Sequence, residues 1–265
     1  MILNRSENIH LRIAAAIFFV LCWHAVVILA RSFFPHLNVG SLPTPVETVY
    51  AMVNALKGSG NGPLYQFSIL LHSAASLLRV VEGFLLSLVI GIPLGIWMGW
   101  SRKVSCFVGT IVEILRPIPP IAWIPVALLL FGFNAPIFIV FIGIVFPIIL
   151  NTIQGVSSVD KNIVDVARIL GAEKGDMLFK VVLPSSFPYM VTGMRVGVGV
   201  GWMCIVAAEM VGMRGGLGLG YFVWLAYDLY NIPAMVAGMV FIGFVGWVMN
   251  EILEQVEHRL MRWRE

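Results

Sequence analysis

The sequence predicts an all-α membrane protein with six transmembrane helices. Three observations predict it. The first is composition: of 265 residues, 59% belong to the AVILMFWYC set and only 12% are charged, and the mean hydropathy is +0.93. A soluble domain carries about 25% charged residues, so a water-exposed surface cannot be built from this chain. That excludes a soluble enzyme, a disordered chain and a nucleic-acid binder. The second is a set of six apolar stretches, each long enough to cross the hydrocarbon core as a helix, which takes about 20 residues. The third is the placement of basic residues on alternate connections. The net charge is only +3, and its distribution says more than its size.

The six stretches cover residues 13–30, 83–100, 105–131 with an interruption, 135–153, 187–211 and 232–252. Backbone groups in lipid must be satisfied within the segment, and no ten-residue alternation suggests a barrel, so each is read as a helix. The first stretch follows Arg5 and Arg12 and reads as an uncleaved span. It is too long for a secretory signal, lacks an A-x-A site and precedes five more spans. The next connection contains Leu42-Pro43-Thr44-Pro45 and a helical pattern over 46–56. The breaker Gly58-Ser59-Gly60-Asn61-Gly62-Pro63 ends that pattern. A lead-in to span two follows, carrying His72, Arg79 and Glu82; Arg79 and Glu82 are spaced to pair on one helix face. Arg102, Lys103, Lys161, Arg168, Lys174, Lys180, Arg259, Arg262 and Arg264 share one side with Arg5 and Arg12. The opposite side holds only Arg31, Lys57 and Arg214. By the positive-inside rule both termini are cytoplasmic.

Gly91, Gly95 and Gly99 recur every four residues in span two, and Gly193, Gly197 and Gly201 do so in span five. Such rows let helix backbones approach closely in lipid. They serve static packing or faces that slide during a conformational cycle. Charges inside spans are candidates for function: Glu113 and Arg116 in span three, and Glu209 near the end of span five. Arg116 precedes Pro117-Ile118-Pro119-Pro120, and Pro125 follows, so span three is broken or sharply kinked. Broken backbone at membrane depth is tolerated beside protein or a water-filled cavity. The segment 116–120 is therefore a candidate pathway lining, or else a structural kink with an internal Glu113–Arg116 pair. Cys22, Cys106 and Cys204 suggest neither a disulfide framework nor a metal site. His24 reads as a partner for a neighbouring helix. No phosphate loop, metal motif or nucleophile elbow is present.

The connection between spans four and five, residues 155–186, is long for a bundle loop. Apolar residues at Ile163, Val164, Val166, Ala167, Ile169 and Leu170 alternate with Lys161, Asp165 and Arg168, predicting a short amphipathic helix that Gly171 ends. The acidic residues Asp165, Glu173 and Asp176 argue against a lipid-surface helix. Within this loop, Asp165-Val166-Ala167-x3-Gly171-x9-Val181-Val182-Leu183-Pro184 resembles the EAA-x3-G-x9-I-x-L-P signature. That signature belongs to the permease subunits of binding-protein-dependent ABC importers. Asp replaces the first Glu, and Val replaces the first Ala and the Ile. The stretch from Arg116 to Pro125, the run Gly193-x-Arg195-x-Gly197-x3-Gly201-Trp202 leading to Ala207-Ala208-Glu209, and Leu42-Pro43-Thr44-Pro45 resemble the nitrate/sulfonate/taurine branch. Gly220-Tyr221-Phe222-Val223-Trp224-x-Ala226-Tyr227 leans toward its nitrate and bicarbonate members.

The resemblance implies a type I ABC importer permease fold, one transmembrane domain over 1–265, in the inner (plasma) membrane. It implies a second permease subunit, most simply a homodimer, two ABC ATPase subunits, and a periplasmic or lipid-anchored solute-binding protein. No cofactor is expected in this chain; ATP and Mg would sit in the ATPase subunits. Asp165, Val166, Ala167, Arg168, Gly171, Leu183 and Pro184 would form the ATPase-coupling element. Branch members carry small anions: nitrate, bicarbonate, or a sulfonate such as taurine. The pathway candidates read from the residues are Glu113, Arg116, Pro117, Pro119, Pro120 and Glu209, of which Glu209, near the outer gate, would oppose an anion. An ion-driven secondary transporter would want acidic residues at mid-membrane in discontinuous helices, and Glu113 alone offers that. A membrane enzyme would need a convergent catalytic set, and none is visible.

Overall fold

The computed structural model describes residues 9–33, 42–58, 63–212 and 216–261. Arg5, Arg214, Arg262 and Arg264, used above for orientation, lie outside the described residues, as do residues 59–62 of the Gly/Pro breaker. Among the described residues the structure is helical, without strands. It divides into two compact units: Met1–Leu71 with Phe222–Phe241, and His72–Tyr221 with Ile242–Glu265.

In the first unit, helix α1 (Ile9–Phe33) and helix α2 (Pro45–Lys57) pack together. Pro45 pre-sets the first turn of α2, and Thr44 with Glu47 closes a capping box on it. Thr48, Ala51 and Ala55, at helical spacing, form its buried stripe. Gly58 ends α2 in the left-handed conformation, φ 61°. Arg31 reaches from α1 to the Glu47 carboxylate at 2.9 Å and to the Leu42 carbonyl at 2.9 Å.

Helix α3 (Ile69–Trp100) is a single rod of 32 residues. The lead-in and span two are therefore one helix, beginning fourteen residues before the apolar run at 83. Helix α4 (Arg102–Leu115) follows, and then the chain breaks as expected. Pro117, Pro119 and Pro120 supply no N–H, so the helix stops at Arg116 and resumes through a 3-10 turn (Pro120–Trp123) into helix α5 (Ile124–Phe131). The third stretch is thus two short helices of 14 and 8 residues. Among the described residues five helical runs are long and apolar enough to cross a membrane, beginning at Ala14, Ile69, Pro120, Lys174 and Ile232, the third of them running on through α5 to Ser157. The sixth expected crossing is the broken one.

Helix α6 (Ala135–Ser157) is the core of the second unit; Ile139, Val140, Ile144 and Ile148 are fully buried. Helix α7 (Lys161–Ile169) is short and exposed. A second divergence follows it. The chain is helical from Lys174 onward, through α8 (Lys174–Asp176), a π-helical turn (Met177–Val182) and α9 (Leu183–Gly212). Leu183-Pro184 therefore sits inside a helix rather than closing a loop. Pro184 has no N–H to give the preceding turn, and the wider π turn Met177–Val182 lies immediately before it. Helix α10 (Leu219–Asp228) and helix α11 (Ile232–Leu260) complete the chain.

The glycine rows explain how α6 is held. On α3, a Cβ on Gly91 would stand 3.0 Å from Ile148, one on Gly95 would stand 2.7 Å from Thr152, and one on Gly99 would stand 2.6 Å from Val156. On α9, the rows reverse: Gly193 meets Asn151 and the Pro147 carbonyl, while Gly197 and Gly201 meet Ile144. Thus α3 runs parallel and α9 antiparallel to α6, each at backbone-to-side-chain contact. The α3 row also extends further than expected. Gly83 abuts Val140, and Ser87 donates to the carbonyls of Gly83 and Phe141.

Candidate functional site

The break after α4 opens onto a cleft of about 320 Å³ in the second unit. Arg116, Ile118 and Pro120 line one side. Phe146, Pro147, Leu150 and Asn151 of α6 and Val196 and Val200 of α9 line the rest. The structure thus brings Arg116 and Pro120 to one cavity, with Asn151 as a further polar neighbour. Glu113, Pro117 and Pro119 are exposed and do not line it. Glu113 and Arg116 form no ion pair with each other, so the internal pair is not the reason for the kink; the prolines are sufficient. Asn151 donates its amide N–H to the Pro147 carbonyl at 2.8 Å, which fixes its rotamer at the cleft wall. Nothing in the sequence pattern singled out Asn151; it is one polar residue in an apolar run.

Glu209 lies elsewhere. Its side chain is fully buried in a polar knot that joins α3, α9 and the start of α10. Arg79 donates to Glu209 Oε1 at 2.7 Å and to the Leu217 carbonyl at 2.7 Å. Ser76 Oγ donates to the same carboxylate at 2.8 Å, and the Gly220 N–H donates to Oε2 at 3.0 Å. The expected Arg79–Glu82 pair is not formed: Glu82 is exposed, and Arg79 turns to the carboxylate that burial has stripped of water. Removing one partner of such a pair strands a buried charge, at a cost of about 3–5 kcal/mol.

The expected coupling element is built as follows. Asp160 caps α7 by accepting from the Asn162 N–H at 2.9 Å. At the other end, the Gly171 N–H donates to the Arg168 carbonyl and the Ala172 N–H to the Ala167 carbonyl, both at 3.0 Å. This closing pattern needs a left-handed residue, and Gly171 has φ 85°. Between these caps Ile163, Val166, Ile169 and Leu170 present an exposed apolar ridge; Ile169 and Leu170 are 84% and 81% exposed. Asp165 is bound to Arg168 on its own helix at 3.2 Å. Ala167 is half-buried, as is Leu183, while Pro184 is exposed. A second charged cluster, absent from the sequence reading, ties α9 to α11: Arg195 binds Glu257 at 2.7 Å and Glu254 at 3.3 Å.

Comparison with known proteins places this architecture. A bicarbonate transport system permease protein, CmpB of Synechococcus elongatus, is 38% identical over 72% of this chain and 69% of its own. A nitrate import permease protein, NrtB of Leptolyngbya laminosa, is 37% identical over 71% of this chain and 67% of its own. A Methanocaldococcus jannaschii protein assigned to the ABC transporter permeases is 41% identical over 84% of each chain. Among solved structures, a chain of the inward-facing MetNI methionine ABC transporter shares the fold. Its TM-score is 0.64 at 20% identity, covering 73% of this chain and 96% of that one. The fold is that of a type I ABC importer permease, a multi-pass inner-membrane protein that is not itself the ATP-hydrolysing subunit. The family profile described as "Binding-protein-dependent transport system inner membrane component" matches residues 91–262, and the chain belongs to that family.

Proposed function

We propose that this chain forms the transmembrane pathway of an ATP-driven importer for a small oxyanion of the nitrate or bicarbonate type. The observation that carries this reading is Arg116, which lines the cleft where α4 breaks and has no carboxylate partner among the described residues. A cation at membrane depth is expensive unless water or a counter-ion meets it, and a passing anion is that counter-ion. Asn151 offers a neutral dipole beside it. The names of the bicarbonate and nitrate relatives agree with an anion.

In this reading two copies of the chain pair across the pathway, with both termini cytoplasmic. Two ABC ATPase subunits bind ATP and magnesium beneath them, and a solute-binding protein delivers the anion from outside. The α7 ridge seats in a groove on the ATPase. Its four apolar side chains supply most of the contact, because burying one is worth about 1.5–3 kcal/mol, whereas a desolvated Asp165 pair is not automatically favourable. ATP binding draws the two ridges together and opens the pathway outward; hydrolysis resets it.

The test is uptake of labelled nitrate and bicarbonate by the complete complex in liposomes. Arg116→Ala is expected to lower uptake about tenfold while the complex still assembles. An unchanged uptake rate would remove Arg116 from the pathway.

A further inference from the structure

The polar knot around Glu209 does something the pathway reading leaves unused: it caps a helix with side chains from two other helices. The first N–H groups of any helix lack intrahelical partners, and here side chains of α3 and α9 meet them. The Leu219 N–H donates to Ser76 Oγ at 2.9 Å and the Gly220 N–H to Glu209 Oε2 at 3.0 Å, while His72 Nδ1 stands 3.1 Å from the Gly218 nitrogen and 3.0 Å from its carbonyl oxygen, serving one or the other according to its tautomer. Two successive amides at the start of α10 are thus held by α3 and α9, with His72 of α3 against the peptide groups of Gly218 just before them. His72 and Ser76 are one helical turn apart, which matches the climb of the chain past them. Ser76 Oγ both accepts from Leu219 and donates to Glu209, so the caps form one connected network. Arg79 completes it from below, neutralising Glu209 and holding the Leu217 carbonyl.

The fit admits no side chain at either glycine that flanks Leu219. A Cβ on Gly218 would strike the Glu209 carboxylate, and one on Gly220 would strike the Val206 carbonyl. The network also stands at the ends of the packing rows. Arg79 stands four residues before Gly83 in the row of Gly83, Ser87 and Gly91 on α3, and Glu209 stands eight residues beyond Gly201 on the row of Gly197 and Gly201 on α9, with Ile205 between them. The start of α10 is therefore registered by the same helix faces that clamp α6.

We infer that Glu209 is a positioning residue, whose carboxylate geometry sets the start of α10 and thereby a transport-competent outer end of the pathway. Its charge is needed only to balance Arg79. The second half of this statement rests on the importer reading above; the first does not. Because an uncharged amide keeps an accepting oxygen, a neutral pair should retain the caps, whereas either half-pair should not.

The experiment uses the complete complex, with Glu209→Gln, Arg79→Gln and the double variant. Backbone amide exchange over residues 217–221 is measured alongside anion uptake per ATP hydrolysed. Each single variant is expected to speed exchange over 217–221 by roughly tenfold or more, leave the α6 amides slow, and lower uptake per ATP. The double variant is expected to restore slow exchange and most of the uptake. Restored exchange without restored uptake would show that the charge itself takes part in transport and would overturn the role given to geometry. Single variants with native exchange would overturn the capping role. If the unaltered complex imports no anion, the importer reading fails, while the exchange results still decide the cap.

Discussion

Glu47 shows how one contact sets a titration. The Arg31 guanidinium bonded to it, with the Thr44 N–H, holds its carboxyl at about 2, below the ordinary 4.5. A depressed carboxyl contributes stability above its unfolded pKa and loses it as pH falls through the folded value. The contribution is therefore whole near neutrality and disappears between about pH 4.5 and 2. Both side chains are more than a third exposed, so solvent and salt screen the effect and it is small. Glu47→Gln should lower the thermal midpoint slightly at neutral pH, with the gap closing below pH 4 and shrinking in high salt; melts of the nanodisc-embedded chain across pH would check both. The glycines of the packing rows were legible in the sequence because a four-residue period states which face is smooth. The partner of Glu209 was not. Ser76 and Arg79 lie more than a hundred residues away in the chain, and local spacing offered Arg79 the nearer Glu82. Burial overrode that choice, since a carboxylate without water needs donors more than an exposed one does.

At the scale of the element, hydropathy located the spans because lipid demands length and apolarity together. It misplaced the starts of α3 and of the helix ending at Gly212, because amphipathic turns outside the apolar run extend a helix without adding to its hydropathy. The π turn before Pro184 has no compositional sign at all. The caps of α7 were plain, since Asp160 and Gly171 are residues that helix ends require. Gly171 stands in open space with φ 85°, so a substitution there strains only the backbone, by about 1–3 kcal/mol. Gly171→Val is expected to leave the bundle folded and to deprive the complex of both uptake and substrate-stimulated ATP hydrolysis. Survival of both would separate α7 from coupling.

For the whole molecule, the sidedness inferred from basic residues assigns α7 and the turn before α11 to opposite faces of the membrane. Leu170 and Tyr230 are 81% and 87% exposed, which makes them suitable reporters. With Cys22 and Cys106 replaced by alanine, a membrane-impermeant maleimide should label Tyr230→Cys in intact cells. It should reach Leu170→Cys only after permeabilisation. Labelling of Leu170→Cys from outside would invert the topology and remove α7 from any cytoplasmic motor.

The break between α4 and α5 has a dielectric consequence. Pro117 and Pro120 have no N–H to return to the carbonyls of Glu113 and Arg116 four residues earlier. Neither oxygen can take the hydrogen bond that an unbroken helix would give it, and hydrocarbon can donate nothing in its place. In the importer reading, water that enters the cleft to meet these oxygens would also screen a passing ion from the low dielectric around it, beside Arg116.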